Sequence, residues 1–221
     1  MPEISPTLSI KTFCGAGYYI QRVHPHCAER SAELLRSGFR FHDRYLLLKI
    51  VPPEVPPAPP LPDMRIRADC EYTEEMLSMA FDAFTTDRRF HLNWIYEQNL
   101  ANQMIRAYLQ DCASRKMAVI KVERAGELLG YTVLQSVSTC VVENVLGVTK
   151  SGMGGMLAAT FLYAGTLDYI SRSGNAGTRV MYRGRVSSGN QASLNLHAHF
   201  NAKVKQIYDE YILKLENPIG M

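Results

Sequence analysis

The residues best suited to chemistry lie in VVENVLGVTKSGMGGMLAATFLYAGTLDYI, residues 141–170, where an apolar strand pattern passes through Gly152, Gly154 and Gly155 into an amphipathic helix. Glycines at such a junction let the chain turn sharply and let backbone N–H groups converge. A helix N-terminus adds unpaired donors and roughly half a positive charge, a combination that suits a phosphate or pyrophosphate. A helix that simply begins at glycine has the same pattern, so the loop alone leaves both readings open. Two familiar phosphate loops do not fit. Met153 follows Gly152 where a Walker A loop needs Lys and then Ser or Thr. A dinucleotide fingerprint belongs in a first βαβ unit, whereas this loop follows a hairpin two thirds of the way along the chain.

Three further groups carry reactive side chains. His197 stands seven residues after Asn190 in the helical run NQASLNLHAHF, and His199 points about 200° away around the same helix, so the two cannot share one task. The polar stretch TTDRRFHLN contains Asp87, Arg88, Arg89, Phe90 and His91. His24, His26 and Cys27 could be metal ligands, but Pro25 prevents a helical i, i+4 pairing and no second ligand group stands nearby, so no metal is expected.

The elements that must position these residues follow from periodicity. VPPEVPPAPPLPD, residues 51–63, holds seven of the eleven prolines and reads as a stiff extended linker, with a PxxP-type ligand as the alternative. It divides residues 1–50, a small segment, from a body at 64–221. The small segment offers a helix at CAERSAELLRSGF and a strand at RYLLLKI. These are too few elements to bury a core alone, so the segment is expected to dock on the body. In the body, Thr73 caps a helix whose apolar stripe is Met76, Met79, Ala80 and Ala83. A longer helix is expected from about Trp94 to Cys112. Strands are expected at 117–122, 128–137 and 140–148, then the helix after the glycines, a strand at 178–186, the helix opened by Asn190, and one long strand or a strand pair at KVKQIYDEYILKL. This order gives an α+β plan with a mixed sheet.

Composition narrows the class. The chain has 221 residues, is 47% hydrophobic and 20% charged, and carries a net charge of +3. This is ordinary globular composition without the clustered basic face of a nucleic-acid binder. No apolar run reaches the ~18 residues of a membrane span, and the first residues lack a secretory pattern. Cys14, Cys27, Cys70, Cys112 and Cys140 are odd in number and widely spread, which points to reduced thiols and a cytoplasmic protein.

The run Val148 to Leu157 resembles the acetyl-CoA loop of the GNAT-fold N-acetyltransferases, with Gly152 and Gly154 at the two small positions, Leu157 at an apolar helix position, and Thr149 where Gln or Arg is usual. The run Ser188 to His197 resembles the Asn-containing helix that follows the next strand in that family. Together the likeness covers roughly residues 64–213. FTTDRRFHLNW and LLRSGFRFHDRYLLLKI resemble more loosely the TDP-fucosamine acetyltransferase group. The resemblance implies a mixed, mostly antiparallel sheet with helices on both faces, and transfer of an acetyl group from acetyl-CoA to a primary amine, expected to be on a nucleotide-linked amino sugar. Another amine (a protein N-terminus, a polyamine or an antibiotic) or a non-catalytic acyl-CoA-binding module are the alternatives. It implies that Leu146, Gly147 and Val148 hold the pantetheine arm, that Lys150, Ser151, Gly152, Met153, Gly154 and Gly155 take the pyrophosphate, and that Asn190 contacts the arm from the other side. His197 falls where the family places a tyrosine general acid, with a plain helix-face histidine as the alternative. Glu143 is near where some members place a base, with a salt-bridged carboxylate as the alternative. Arg88, Arg89, Phe90 and His91 would line the acceptor pocket, or form a solvated loop. A homodimer through the C-terminal strand is compatible with the sequence.

Overall fold

The computed structural model describes residues 9–13, 16–52, 63–84, 98–150, 153–173 and 180–214. Nine strands form one sheet: β1 (Ser9–Phe13), β2 (Ala16–Val23), β3 (Arg40–Ile50), β4 (Met64–Asp69), β5 (Ala118–Arg124), β6 (Glu127–Ser138), β7 (Val141–Thr149), β8 (Met181–Ser187) and β9 (Lys203–Lys214). Among the described residues five helices accompany them: α1 (Ala28–Arg36), α2 (Glu74–Ala83), α3 (Gln98–Ser114), α4 (Met153–Ser173) and α5 (Gln191–His199). The strand order is β1-β2-β9-β3-β8-β7-β6-β5-β4, and β7–β8 is the one parallel neighbour pair. This is an α+β fold with a mixed, mostly antiparallel sheet.

The core has a cluster on each side of the sheet. Met76, Met79 and Ala80 of α2, with Ile105 and Leu109 of α3, meet Val119, Tyr131, Val133, Leu146 and Val148 on one face. Ala158, Leu162, Leu167 and Ile170 of α4 meet Ile120, Val122, Leu134, Val142 and Tyr182 on the other. Because β5 is covered on both faces, its residues 119–122 are all buried. Lys121 is tolerated there by a 2.9 Å ion pair with Asp69. The cap read at Thr73 is present, its side chain accepting from Met76 N–H at 3.3 Å.

The N-terminal 50 residues join the body by strand pairing. β3 lies between β9 and β8, with Tyr45 opposite Tyr208 on one side and Ser187 on the other. Three strands absent from the periodicity reading, β1, β2 and β4, extend the two edges. The C-terminal run is a single strand. Residues 94–97 of the longer helix expected from Trp94 lie outside the described residues, and the described part is Gln98–Ser114. Among the described residues no helix is long and apolar enough to cross a membrane, and no group of three or more His, Cys, Asp or Glu side chains could hold a metal ion. Cys27, Cys70, Cys112 and Cys140 are free thiols.

Candidate functional site

The site begins where two parallel strands part. β7 and β8 pair only from Val141–Met181 to Asn144–Gly184, although β7 continues to Thr149 and β8 to Ser187. The cause lies at Val145. On β6, Val133 and Leu134 are consecutive, but their β7 partners are Leu146 and Asn144, so Val145 is an extra, bulged residue. A bulge bends its strand and disrupts the ladder. Two side chains brace this one: Thr132 Oγ1 donates to the Leu146 carbonyl at 3.0 Å, and Tyr108 Oη to the Val145 carbonyl at 3.4 Å.

Beyond the last shared rung, a cleft of about 810 Å³ opens between α4, α5 and the freed part of β7. That volume is within the range of small-molecule and cofactor sites. Thr132, Asn144, Gly147 to Lys150, Tyr163, Thr166, Asn190, Ser193, His197 and His199 are among its lining. Asn144 donates to Tyr182 Oη at 3.0 Å. Tyr163 packs edge-on against both Tyr182 and His197. Burial pushes the Tyr182 phenol up to about 12 and raises that of Tyr163 strongly, so both stay neutral across the physiological range.

The sequence-expected residues divide. Gly147 and Val148 line the cleft, but Leu146 is turned away: its side chain belongs to the α2–α3 core and its carbonyl is taken by Thr132. Lys150 is at the rim with its donors occupied, its N–H given to the Leu129 carbonyl at 2.9 Å and its ammonium to Glu127. It therefore cannot contribute its amide to a phosphate cup as expected. Ser151 and Gly152 lie outside the described residues. Met153, Gly154 and Gly155 form the first turn of α4 rather than a loop before it. Asn190 caps α5 by accepting from Ser193 N–H at 3.0 Å, which leaves its Nδ2 donors for a ligand.

His197 is 5% exposed. Its Nδ1 lies 2.7 Å from the Ser193 carbonyl, a contact that requires the proton on Nδ1. Nε2 is then an acceptor, and it is buried without a hydrogen-bond partner. It faces Gly184, where an added Cβ would come within 2.9 Å of it. Burial lowers the His197 pKa, against a smaller raising effect from the Ser193 carbonyl. In this state His197 is neutral and has no Nε2 proton to give, whereas the acid role expected of it needs that proton. His199 is exposed on the rim. Glu143 is on the opposite sheet face from the cleft. Its Oε2 accepts from Arg183 Nε at 3.0 Å and from Arg183 Nη2, and Arg185 Nη2 lies 3.5 Å from its Oε1. Its carboxylate is thus bridged by two guanidiniums, the salt-bridged alternative. Arg88, Arg89, Phe90 and His91 lie outside the described residues.

The periodicity reading did not find Asn144, Thr132, Tyr163 or Tyr182. The signal for Asn144 was an amide beside Glu143, a polar pair with apolar residues on either side. For Tyr182 it was an aromatic next to the Arg-Gly-Arg of β8.

Comparison with solved structures places this architecture. A GCN5-related N-acetyltransferase from Sphaerobacter thermophilus superposes with a TM-score of 0.53 at 12% identity, over 94% of this chain and 62% of that one. A tandem GNAT protein from the clavulanic acid biosynthesis pathway superposes with a TM-score of 0.58, also at 12% identity and over 94% and 62% of the two chains. The fold is GNAT-like. The present chain thus spans less than two thirds of the length of either GNAT protein, and at this identity the likeness speaks for the fold alone. No family model and no curated protein matches the sequence. Within the GNAT-like fold, the freed end of β7, the middle of α4 and the start of α5 line the cleft just described.

Proposed function

We propose that the protein is an acetyl-CoA-dependent N-acetyltransferase in which a primary amine attacks the thioester directly. The observation that carries this reading is the opening between β7 and β8. From Val145 to Thr149 one edge of β7 has no strand partner among the described residues, and an extended ligand bearing amide groups can pair with it as an added strand would. The α4 N-terminus, with its first-turn N–H groups unpaired by the helix, follows β7 closely in the chain and suits the pyrophosphate end of such a ligand. Met153, Gly154 and Gly155 hold that end, Gly147 and Val148 the arm, and Asn190 Nδ2 the arm's other side. Acetyl-CoA would supply the activated acyl group, and the proton the amine loses equals the one the departing thiolate gains, so no net acid is consumed. His197 enters as a neutral acceptor against Tyr163, and Asn144 orients Tyr182 beside it.

For the acceptor we propose the amino group of a nucleotide-linked sugar, ahead of a protein N-terminus, a polyamine or an antibiotic. Calorimetry with CoA, followed by thiol release from acetyl-CoA across a panel of these amines, tests both levels. The expected result is CoA binding and turnover with the sugar nucleotides. No CoA binding at millimolar ligand would remove the enzyme reading, and binding without turnover on any amine would leave a non-catalytic acyl-CoA-binding module.

A further inference from the structure

One rung of the sheet, on the face opposite the cleft, has an unbalanced charge. Strand registers place Glu143 of β7 beside Arg183 of β8, Arg183 beside Lys49 of β3, and Lys49 beside Lys203 of β9. Directly opposed residues project from the same face, so these four side chains form a transverse row, with Arg185 adjacent to it at Glu143. Like charges directly opposite each other destabilise a strand pair, and here the arrangement occurs twice in succession. Glu143 compensates Arg183 and Arg185. Lys49 and Lys203 are exposed, and neither has an ion-pair partner among the described residues. The far end of the same face is balanced by contrast, with Arg22 paired to Glu210.

The row starts where the two parallel strands part. Glu143 is next to Asn144, the last residue of β7 to pair with β8, and the two project from opposite faces. A direct transfer holds both substrates at once, so a donor filling the α4–α5 side leaves the acceptor the other face. From the identity of these side chains and their registers, we infer that Arg183, Lys49 and Lys203 seat an anionic group of the acceptor, of the phosphate or diphosphate class. At ~4.8 Å between strands, Lys49 and Lys203 lie ~10 and ~14 Å from β7 along the sheet. The acceptor is accordingly an amine that carries its phosphate at that remove, and a cationic polyamine is repelled. This inference rests on the transferase reading for its choice of face, and the experiment separates the two.

Inorganic pyrophosphate is titrated calorimetrically into the full chain, alone and saturated with CoA, at low ionic strength. The expected result is pyrophosphate binding that persists with CoA bound, because the donor's own phosphate site is then filled. Lys49→Glu/Lys203→Glu should weaken it about tenfold or more while leaving CoA affinity unchanged. Lys214→Glu, a charge reversal at the other end of β9, should weaken it less than twofold. Loss of pyrophosphate binding on CoA saturation, equal binding by the double variant, or an equal effect of Lys214→Glu would each overturn the inference. Absence of CoA binding would sink the transferase reading instead, and the response of pyrophosphate binding to the two variants would still decide the anion seat.

Discussion

Gly184 allows His197 to lie against the sheet, and Gly184→Ala tests whether that contact holds the site together. An added Cβ would stand 2.9 Å from His197 Nε2 and 3.2 Å from both Cε1 and Oη of Tyr182, well inside the ~3.5 Å of an ordinary contact. Neither neighbour can withdraw freely. The imidazole is held by the Ser193 carbonyl and by the Tyr163 ring at 4.8 Å, and Tyr182 is fully buried under the Asn144 hydrogen bond. Overpacking of this kind costs about 1–3 kcal/mol. For a chain of this size that lowers Tm by roughly 2–12 °C. The movement that relieves it lifts α5 or tips His197 into the cleft, so CoA affinity should fall about tenfold, which corresponds to the lower part of that energy range.

Thermal unfolding of four proteins measures the effect: wild type, Gly184→Ala, His197→Ala and the double variant. Since His197→Ala removes the atom the new methyl meets, the double variant should cost less than the sum of the singles by ~1 kcal/mol or more. Additivity within ~0.5 kcal/mol, or an unchanged Tm in Gly184→Ala, would refute the contact as the organising feature of the cleft floor.

Other consequences are open to simpler measurements. Since burial depresses the His197 pKa, the unfolded chain binds more protons than the folded one just below the ordinary histidine value of ~6.5. Stability should therefore fall as pH drops from ~6.5 towards the folded-state pKa, and equilibrium unfolding of His197→Gln should lack that part of the slope. Asn190→Ala removes the α5 cap and the cleft-facing amide together, so urea unfolding should show a loss of about 1 kcal/mol and calorimetry a weaker CoA affinity. Thr73→Ala should cost a similar ~1 kcal/mol in the same unfolding assay through α2 alone, with CoA affinity unchanged. Glu143→Gln takes the compensating charge from Arg183 and Arg185, and should strengthen pyrophosphate binding to the basic row while leaving CoA binding alone.

How far the residues announced this arrangement depended on the range of the interaction. The β5–β6–β7 meander and the Asn190 and Thr73 caps are local, set by alternation and side-chain oxygens within a turn, and they were legible, whereas α4 takes in Gly154 and Gly155 that the sequence placed before it. β4 carries Met64-Arg65-Ile66-Arg67, an alternating edge pattern hidden beside the proline stretch. β2 was harder. Gln21 is 1% exposed within a strand whose neighbours Ile20 and Val23 are also buried, so no polar–apolar alternation marks it. The insertion of β3 between β8 and β9 is decided by pairings far apart in sequence, such as Tyr45 with Tyr208, which no local window contains. The site shows the same division. Asn190 and Gly147 could be read from their motifs, whereas Asn144, Tyr163 and Tyr182 converge only because two strands separate above them. The state of His197 is fixed by one near partner, Ser193, and one remote one, Gly184.

A single extra residue opens the cleft. Up to Asn144, alternate residues of β7 face α4 and α5: Val142 lies in their cluster and Asn144 in the cleft. Val145 shifts the alternation by one, so Leu146 and Val148 turn into the α2–α3 core. A regular strand would keep Val142, Asn144, Leu146 and Val148 on one face, filling the cleft with leucine and valine side chains. The same shift ends the pairing with β8. It thereby opens the gap between the strands, and it leaves Glu143 as the last charged residue of β7 before the strands part. The cleft on one face thus follows from the bulge, and the charged row on the other begins at the rung just before it. Tyr108 and Thr132, from opposite sides of the sheet, each donate to a carbonyl at the bulge, and losing either would relax the geometry of the cleft.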